Sequence, residues 1–382
     1  MDFKLTEEQQ MLKSMVRDFA DKVLAPRIKT LPEGEMFPTD LRKSMAELGL
    51  FGLCLPAEYG GEERPALDGV LAIEQLIQVS FACSIPIMEV TTGPARIVEK
   101  YASPEIKREI LPRVVNGEIT VAPGMTESEA GSALTDLQTR AVLKGDHYVV
   151  NGAKLFQHTD ADYFVTYVRL TEDKGSRGIG ALLISRDYPG FVIGSPQEFM
   201  GLKCPRGEIV YDNCIVPKEN LIVGAGEFRK LITAFNLERL GNAASCLGLA
   251  QKSLDLSIDY SKQRKQFGKD ICEFQAVQFM LADMAMKVEA ARLLIYKAAA
   301  SAGNGFPTPI EASLAKCFAN EMVRDVAGLG LQIHGGYGYC KEYEIEKIFR
   351  DGWGWGVAGG TVQIQKTTIA SQLLGRDFRQ RN

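Results

Sequence analysis

The stretch FQAVQFMLADMAMKVEAARLLIYKAAAS, residues 274–301, sets the architecture of this chain. In it Phe274, Val277, Leu281, Met284, Val288, Ala291, Ile295 and Ala298 alternate spacings of three and four. An apolar seam of that period runs down one side of a helix, and sustained over such a length it predicts a long antiparallel helix bundle. Two more helices fit PTPIEASLAKCFANEMVRDVAGLGLQIHGG and TVQIQKTTIASQLLGRDF further on. Upstream the texture changes. DHYVVNG, DYFVTYVRL, IGALLIS, GFVIGS and EIVYDNCIVP are short β-branched or aromatic runs between Gly, Asp, Asn and Pro, which read as a small antiparallel β domain. Further upstream the pattern is helical again. Thr6 and the acids after it open a helix on which Leu12, Met15, Val16, Phe19 and Val23 follow until Pro26. More helices surround LRKSMAELGL, LDGVLAIEQLIQVSFACSI and SPEIKREILPRVVNG. The expected fold is α+β, mainly α: helical over 1–120, β over 121–225 and a helical bundle over 226–382. No internal repeat or low-complexity tract interrupts this order.

Composition narrows the function. A length of 382 residues suits two or three domains sharing a large core. The formal net charge of −4 gives no pull toward nucleic acid or anionic membrane. Eight cysteines stand far apart without a CxxC pair, and three histidines make no ligand cluster, so no metal site is expected and the thiols read as reduced and mostly buried. No apolar run approaches the roughly 20 residues of a membrane helix. MDFKLTEEQQMLKSMVRDFADKVLAP lacks the basic-then-apolar order of a signal peptide. The expectation is a soluble protein of a reducing compartment, cytoplasmic and of bacterial type, with no membrane or nucleic-acid partner.

Four pieces carry the chemistry: MTESEAGS (125–132), QRKQFGKDICEFQ (263–275), QIHGGYGYCKEYEIEKIFRD (332–351) and AGGTVQIQ (358–365). In this order, on a helical–β–helical chain, they resemble the acyl-CoA dehydrogenase family of flavoproteins over essentially all 382 residues. The resemblance implies an N-terminal helical domain, a middle β domain, a C-terminal four-helix bundle, one FAD per subunit and a homotetramer. It implies that Arg264 and Gln275 reach the diphosphate and adenosine of a neighbouring subunit's FAD. A pyrophosphate needs positive charge and backbone donors, and Phe267 and Gly268 let the chain approach closely. Gln332, Gly335 and Gly336 resemble the family's glycine-rich turn at the same cofactor, whereas His334 reads as a packed histidine. Met125 and Thr126 fall where the isoalloxazine is hydrogen-bonded, and Ser132 where the CoA pantetheine passes. Thr361 and Gln363 belong to the same implied cofactor set. The chain departs from pattern at Ala133, where the family has Asp. It departs again in KLFQHTDAD, about two residues short, with Phe156 in the aromatic place and His158 or Thr159 in the hydroxyl place. The loop MGLKCPRGE is one residue short.

The reaction of this family needs a base for the proton α to the thioester and donors for the carbonyl oxygen. In the commonest subfamilies the base is a glutamate just before Gly-Thr. Here GWGWGVAGGTVQIQ (352–365) has Gly359 there, followed by Gly360. In a minority, including isovaleryl-CoA and long-chain acyl-CoA dehydrogenases, the glutamate precedes an arginine on an earlier helix, and FNLERLGNAASCLGLAQ matches with Glu238 and Arg239. Leu231, Phe235, Glu238, Asn242 and Ser245 share a stripe at helical spacing, without a basic residue three or four positions from Glu238. Glu238 is therefore the expected base, with Phe235, Arg239, Gly359 and Gly360 at the substrate. Glu89, in ACSIPIMEVTTGPA, matches a position at the bottom of the acyl pocket; capping by Thr91 or Thr92, or pairing elsewhere, weighs equally. The implied activity is FAD-dependent oxidation of an acyl-CoA, with electrons passing to an electron-transferring flavoprotein. The alternatives are an enoyl-CoA reductase, an elimination on a cyclic acyl-CoA using Glu89, and a non-catalytic FAD-binding relative.

Overall fold

The computed structural model describes residues 4–31, 35–200, 205–376 and 378. Its N-terminal part is helical: α1 (Glu7–Phe19), α2 (Ala25–Ile28), α3 (Thr39–Glu47), α4 (Ala66–Leu76), α5 (Phe81–Thr91), α6 (Pro94–Tyr101) and α7 (Pro104–Val115). Thr6 caps α1 in a reciprocal box with Gln9, satisfying two otherwise orphaned donors. The run read as one helix through LDGVLAIEQLIQVSFACSI is two. The chain leaves the helix after Leu76, and the Ser80 hydroxyl accepts the Ala82 N–H to start α5. Apolar periodicity cannot register such a break, because both helices are buried nearly all round.

The middle part holds β1 (Val121–Gly124), β2 (Arg140–Lys144), β3 (His147–His158), β4 (Tyr163–Arg169), β5 (Ile179–Ser185), β6 (Phe191–Pro196), β7 (Arg206–Pro217) and β8 (Leu221–Val223). They form one sheet in the order β6-β7-β3-β2-β4-β5-β8. β1 joins it parallel to β4, since the β2–β3 hairpin between them returns the chain to its first direction. The β3–β7 register slips between Lys154 and Gln157, and Phe156 takes φ +64° there. Such a bulge re-aims side chains at the rim of a sheet.

The C-terminal part is α8 (Phe228–Gln263), a β9–β10 hairpin (Lys265–Gln266 with Lys269–Asp270), α9 (Gln275–Ala302), α10 (Pro309–His334), α11 (Glu344–Trp355) and α12 (Val362–Leu374). The seam of α9 is buried at Met284, Val288, Ala291, Ile295 and Ala298, as its period requires. Two glycines of α8 let neighbours close in. At Gly248 a Cβ would meet the Glu74 carbonyl of α4 and its cap Ile77, and at Gly241 it would meet Met88 of α5 and its cap Thr92. One large core joins both helical parts to one face of the sheet. Among the described residues no helix is long and apolar enough to cross a membrane.

Candidate active site

The contact of α5 with α8 at Gly241 brings Glu89 and Glu238 within reach of one another's charge. Along α8, Phe235 and Asn242 are buried and Glu238 between them is half-buried. The turn between α11 and α12 faces this stripe. Gly359 and Gly360 have φ of +64° and +84°. A Cβ at 359 would stand 3.5 Å from Lys316 Cε, 3.7 Å from Asn242 Nδ2 and 3.9 Å from the Phe235 ring. A side chain thus has room at 359, but a left-handed backbone costs about 1–2 kcal/mol for any residue with a Cβ. A glutamate on α8 incurs no such strain. The Gly359 and Gly360 N–H groups donate to nothing among the described residues, so two donors are available to a thioester oxygen.

Burial dominates at Glu238 and pushes its carboxyl up to about 7, against the positive charges of Arg239 and Lys316. Arg239 makes no ion pair with it. Its Nη1 donates to Asn236 Oδ1 at 2.6 Å, and its guanidinium lies 5.4 Å from the Phe235 ring centre. Tyr167 of β4 is buried against the same pair. Lys316 bears on Glu238 from another helix, α10. No local spacing marks it.

Glu89 is buried, and the capping reading fails. The Thr91 and Thr92 hydroxyls donate to the Ile87 and Met88 carbonyls at 2.7 and 3.0 Å. Glu89 Oε1 instead lies 3.6 Å from His158 Nε2, beyond a hydrogen bond, and has no hydrogen-bond partner among the described residues. Burial holds the Glu89 carboxyl well above its ordinary range, opposed by Arg206. Burial and the Arg206 charge together hold His158 well below its own. Burial thus disfavours the charged form of both groups. The His158 ring turns inward to Glu89, while Thr159 stays partly exposed with its N–H 3.4 Å from the Pro205 carbonyl.

The loop after β1 is tied down from behind. Buried Lys154 Nζ donates to the Met125 carbonyl at 3.2 Å and to Glu127 Oε1 at 2.7 Å. Leu155 N–H donates to the Thr126 carbonyl at 2.8 Å, fixing Met125 and Thr126 against β3. Phe156 is exposed beside them, its N–H held by Gln197 Oε1 at 2.8 Å, and Ser132 is exposed. Residues 201–204 of MGLKCPRGE lie outside the described residues.

A second group gathers at the far end of α8. A cavity of about 490 Å³ is lined by Tyr260, Arg264, His334, Gly335, Gly336 and Tyr337 among others. Arg264 stacks 5.5 Å from the Tyr337 ring centre, and no carboxylate among the described residues pairs with it. A Cβ at Gly335 or Gly336 would meet nothing within 4 Å, so the turn is an open cradle. An unpaired guanidinium over such a cradle fits the diphosphate of FAD. His334 is a packed histidine: it stacks on Tyr260 at 4.2 Å with Nδ1 2.8 Å from the Gly330 carbonyl. Gln275 and Gln332 are exposed, and Phe267 is 95% exposed at φ +51°. Thr361 caps α12, and Gln363 is exposed on it. Positions 238 and 264 lie 26 residues apart on and at the end of α8, or about 39 Å at 1.5 Å per residue. One dinucleotide does not bridge that span.

Family models for the acyl-CoA dehydrogenase N-terminal, middle and C-terminal domains match residues 6–118, 122–214 and 228–374. The chain belongs to the acyl-CoA dehydrogenase family. It is similar to a short-chain-specific acyl-CoA dehydrogenase of Clostridium acetobutylicum, 36% identical over 98% of this chain and 100% of that one. Among solved structures it is similar to a chain of the electron transferring flavoprotein study of Acidaminococcus fermentans on flavin-based electron bifurcation. The TM-score is 0.94 at 38% identity, over 98% and 100% of the two chains. It is also similar to a glutaryl-coenzyme A dehydrogenase in complex with glutaryl-CoA, with a TM-score of 0.91 at 36% identity over all of both chains. An acyl-CoA dehydrogenase is an oxidoreductase and a flavoprotein, so FAD is its cofactor. Among the described residues, the tied-down loop at Met125 and Thr126 and the open cradle at Arg264 could hold parts of such a cofactor.

Proposed function

We propose that this acyl-CoA dehydrogenase oxidises a short acyl-CoA thioester, with Glu238 as the base that removes the α-proton. The observation that carries this is Glu238 itself, half-buried and raised to about 7, on the α8 stripe whose Phe235 and Asn242 stand beside the Gly359 turn. A base is most useful when its pKa sits near the working pH. As the α-proton moves to Glu238, negative charge grows on the thioester oxygen, where the two glycine donors stabilise it. FAD, when bound, supplies the acceptor for the β-hydride. Met125, Thr126 and Phe156 position its ring end, and Ser132 borders the path of the CoA chain. The relatives' names support a short acyl group, and the buried Glu89–His158 pair makes one wall of the site polar.

The same reading gives a homotetramer whose neighbouring chains supply Arg264, Gln275, Gln332 and the Gly335–Gly336 turn to one another's FAD. The separation of Glu238 from Arg264 along α8 supports it. Electrons then pass to an electron-transferring flavoprotein, the protein named for a neighbour at 38% identity. The test is rapid-mixing flavin reduction by Glu238→Gln with a panel of short acyl-CoA thioesters. General-base catalysis contributes about 10²–10⁴-fold, and a loss in that range is expected with FAD content unchanged. Reduction at the parent rate would place the base elsewhere.

A further inference from the structure

Behind the Gly359 turn stands a lysine that nothing in the local sequence singles out. Lys316 is fully buried in α10. Its ammonium donates to Asn320 Oδ1 at 2.7 Å and to the Trp355 carbonyl at 3.4 Å, and no carboxylate among the described residues pairs with it. Asn320 is itself held, donating to Asn242 Oδ1 at 2.8 Å and to Cys246 Sγ at 3.0 Å. Asn242 Nδ2 in turn donates to the same Trp355 carbonyl at 3.3 Å. Every partner of the lysine is neutral. Burying an ammonium without an anion is costly. Its alkyl chain would be the first contact, at 3.5 Å, of any Cβ at Gly359, which faces the Phe235–Glu238–Asn242 stripe.

We propose that Lys316 is a positioning residue for proton removal, a fixed buried cation whose field favours the ionised form of the base at this site. The proposal rests on the reading of Glu238 as that base. Because the lysine stem also lies beneath position 359, the cation belongs to the base site rather than to one helix. A carboxylate delivered from either α8 or the 359 turn meets it.

The charged and titratable groups that bear on Glu238 are few. Arg239 comes from its own helix, Tyr167 from β4, Glu89 from α5 and Lys316 from α10. Arg239 and Lys316 favour the ionised carboxylate, and a charged Glu89 or Tyr167 would oppose it. Arg239 is engaged with Asn236 and the Phe235 ring, whereas Lys316 is directed only at neutral acceptors. Burial draws Lys316 down to about 8, so it is still charged where Glu238 titrates.

The test uses FAD-loaded enzyme and acetyl-CoA, a thioester with α-protons and no β-hydrogen. Exchange of its α-protons with deuterium oxide reports base function without hydride transfer. In the parent the exchange rate should rise through about pH 7. Lys316→Met and Lys316→Gln should both move that rise to higher pH, by about half a unit to one unit. The glutamine separates charge from hydrogen bonding, since it can still donate to a carbonyl. A parental profile in Lys316→Gln, or in Lys316→Met, overturns the proposal. Should neither variant retain FAD, Lys316→Arg keeps the buried charge that both remove and should keep the parental rise; a rise moved to higher pH in it overturns the proposal. Glu238→Gln is the companion measurement. Undiminished exchange in it overturns the base assignment itself, whereas lost exchange with unmoved Lys316 profiles overturns only the role of Lys316.

Discussion

Burial keeps Glu238 protonated up to about pH 7, whereas a glutamate in an unfolded chain ionises near 4.5. Between those values the folded protein binds more protons than the unfolded one, so this group makes stability fall as pH rises. Glu238→Gln ends that loss. Its melting temperature should gain on the parent as pH goes from about 5 to about 8, read by scanning fluorimetry, and a constant difference would mean the carboxyl is not desolvated. Glu89 works differently. Burial disfavours its charged form, its Oε1 lacks a donor, and the His158 ring stands 3.6 Å away. Glu89→Leu should shift preference several-fold toward longer apolar acyl chains by removing a buried polar group. Lost turnover on every substrate with FAD retained would instead make Glu89 the base.

At the scale of elements, α8 is the organising piece, and small residues set how closely others approach it. Gly248 admits the Glu74 carbonyl of α4, a backbone atom that cannot step aside. Gly248→Ala should therefore cost about 1–3 kcal/mol, as overpacking does. Gly131, exposed with nothing within 4 Å of a Cβ, is the control, and Gly131→Ala should leave the denaturation midpoint unchanged. Equal midpoints for the two variants would show that α4 and α8 are not held this tightly. The same closeness at Gly241 sets Glu89 opposite Glu238, so the separation of the two carboxyls is a property of helix packing.

For the whole molecule, the proposed sharing of FAD between neighbouring chains needs contact between copies of this chain. α9 offers a surface for it: Phe279, Met286 and Leu293 recur every seven residues and are 61%, 63% and 44% exposed, opposite the buried seam. Burying such a stripe is the usual means of holding a bundle against its neighbour. Phe279→Glu with Met286→Glu should give a smaller particle by light scattering, and FAD should be lost with assembly. A smaller particle retaining full FAD would show that each chain completes its own site.

The heptad seam of α9, the β-branched runs of 147–217 and the cap at Thr6 were legible because each is a local pattern answering to one period or one hydrogen bond. Glu238 was legible for the same reason: Phe235, Glu238 and Asn242 are neighbours on one helix whatever that helix packs against. The break at Ser80 was not, since helices buried all round show no polar face. Neither was the turning of His158 to Glu89, 69 residues away in the chain, or the placing of Lys316 under Gly359. The sequence by itself determined the order of elements and the family, and it sets Glu238 on one helix face with Phe235 and Asn242. Only the tertiary structure decided which charges surround that carboxylate, because burial and the field at Glu238 are sums over α5, α8, α10 and β4, which no single stretch of the chain contains.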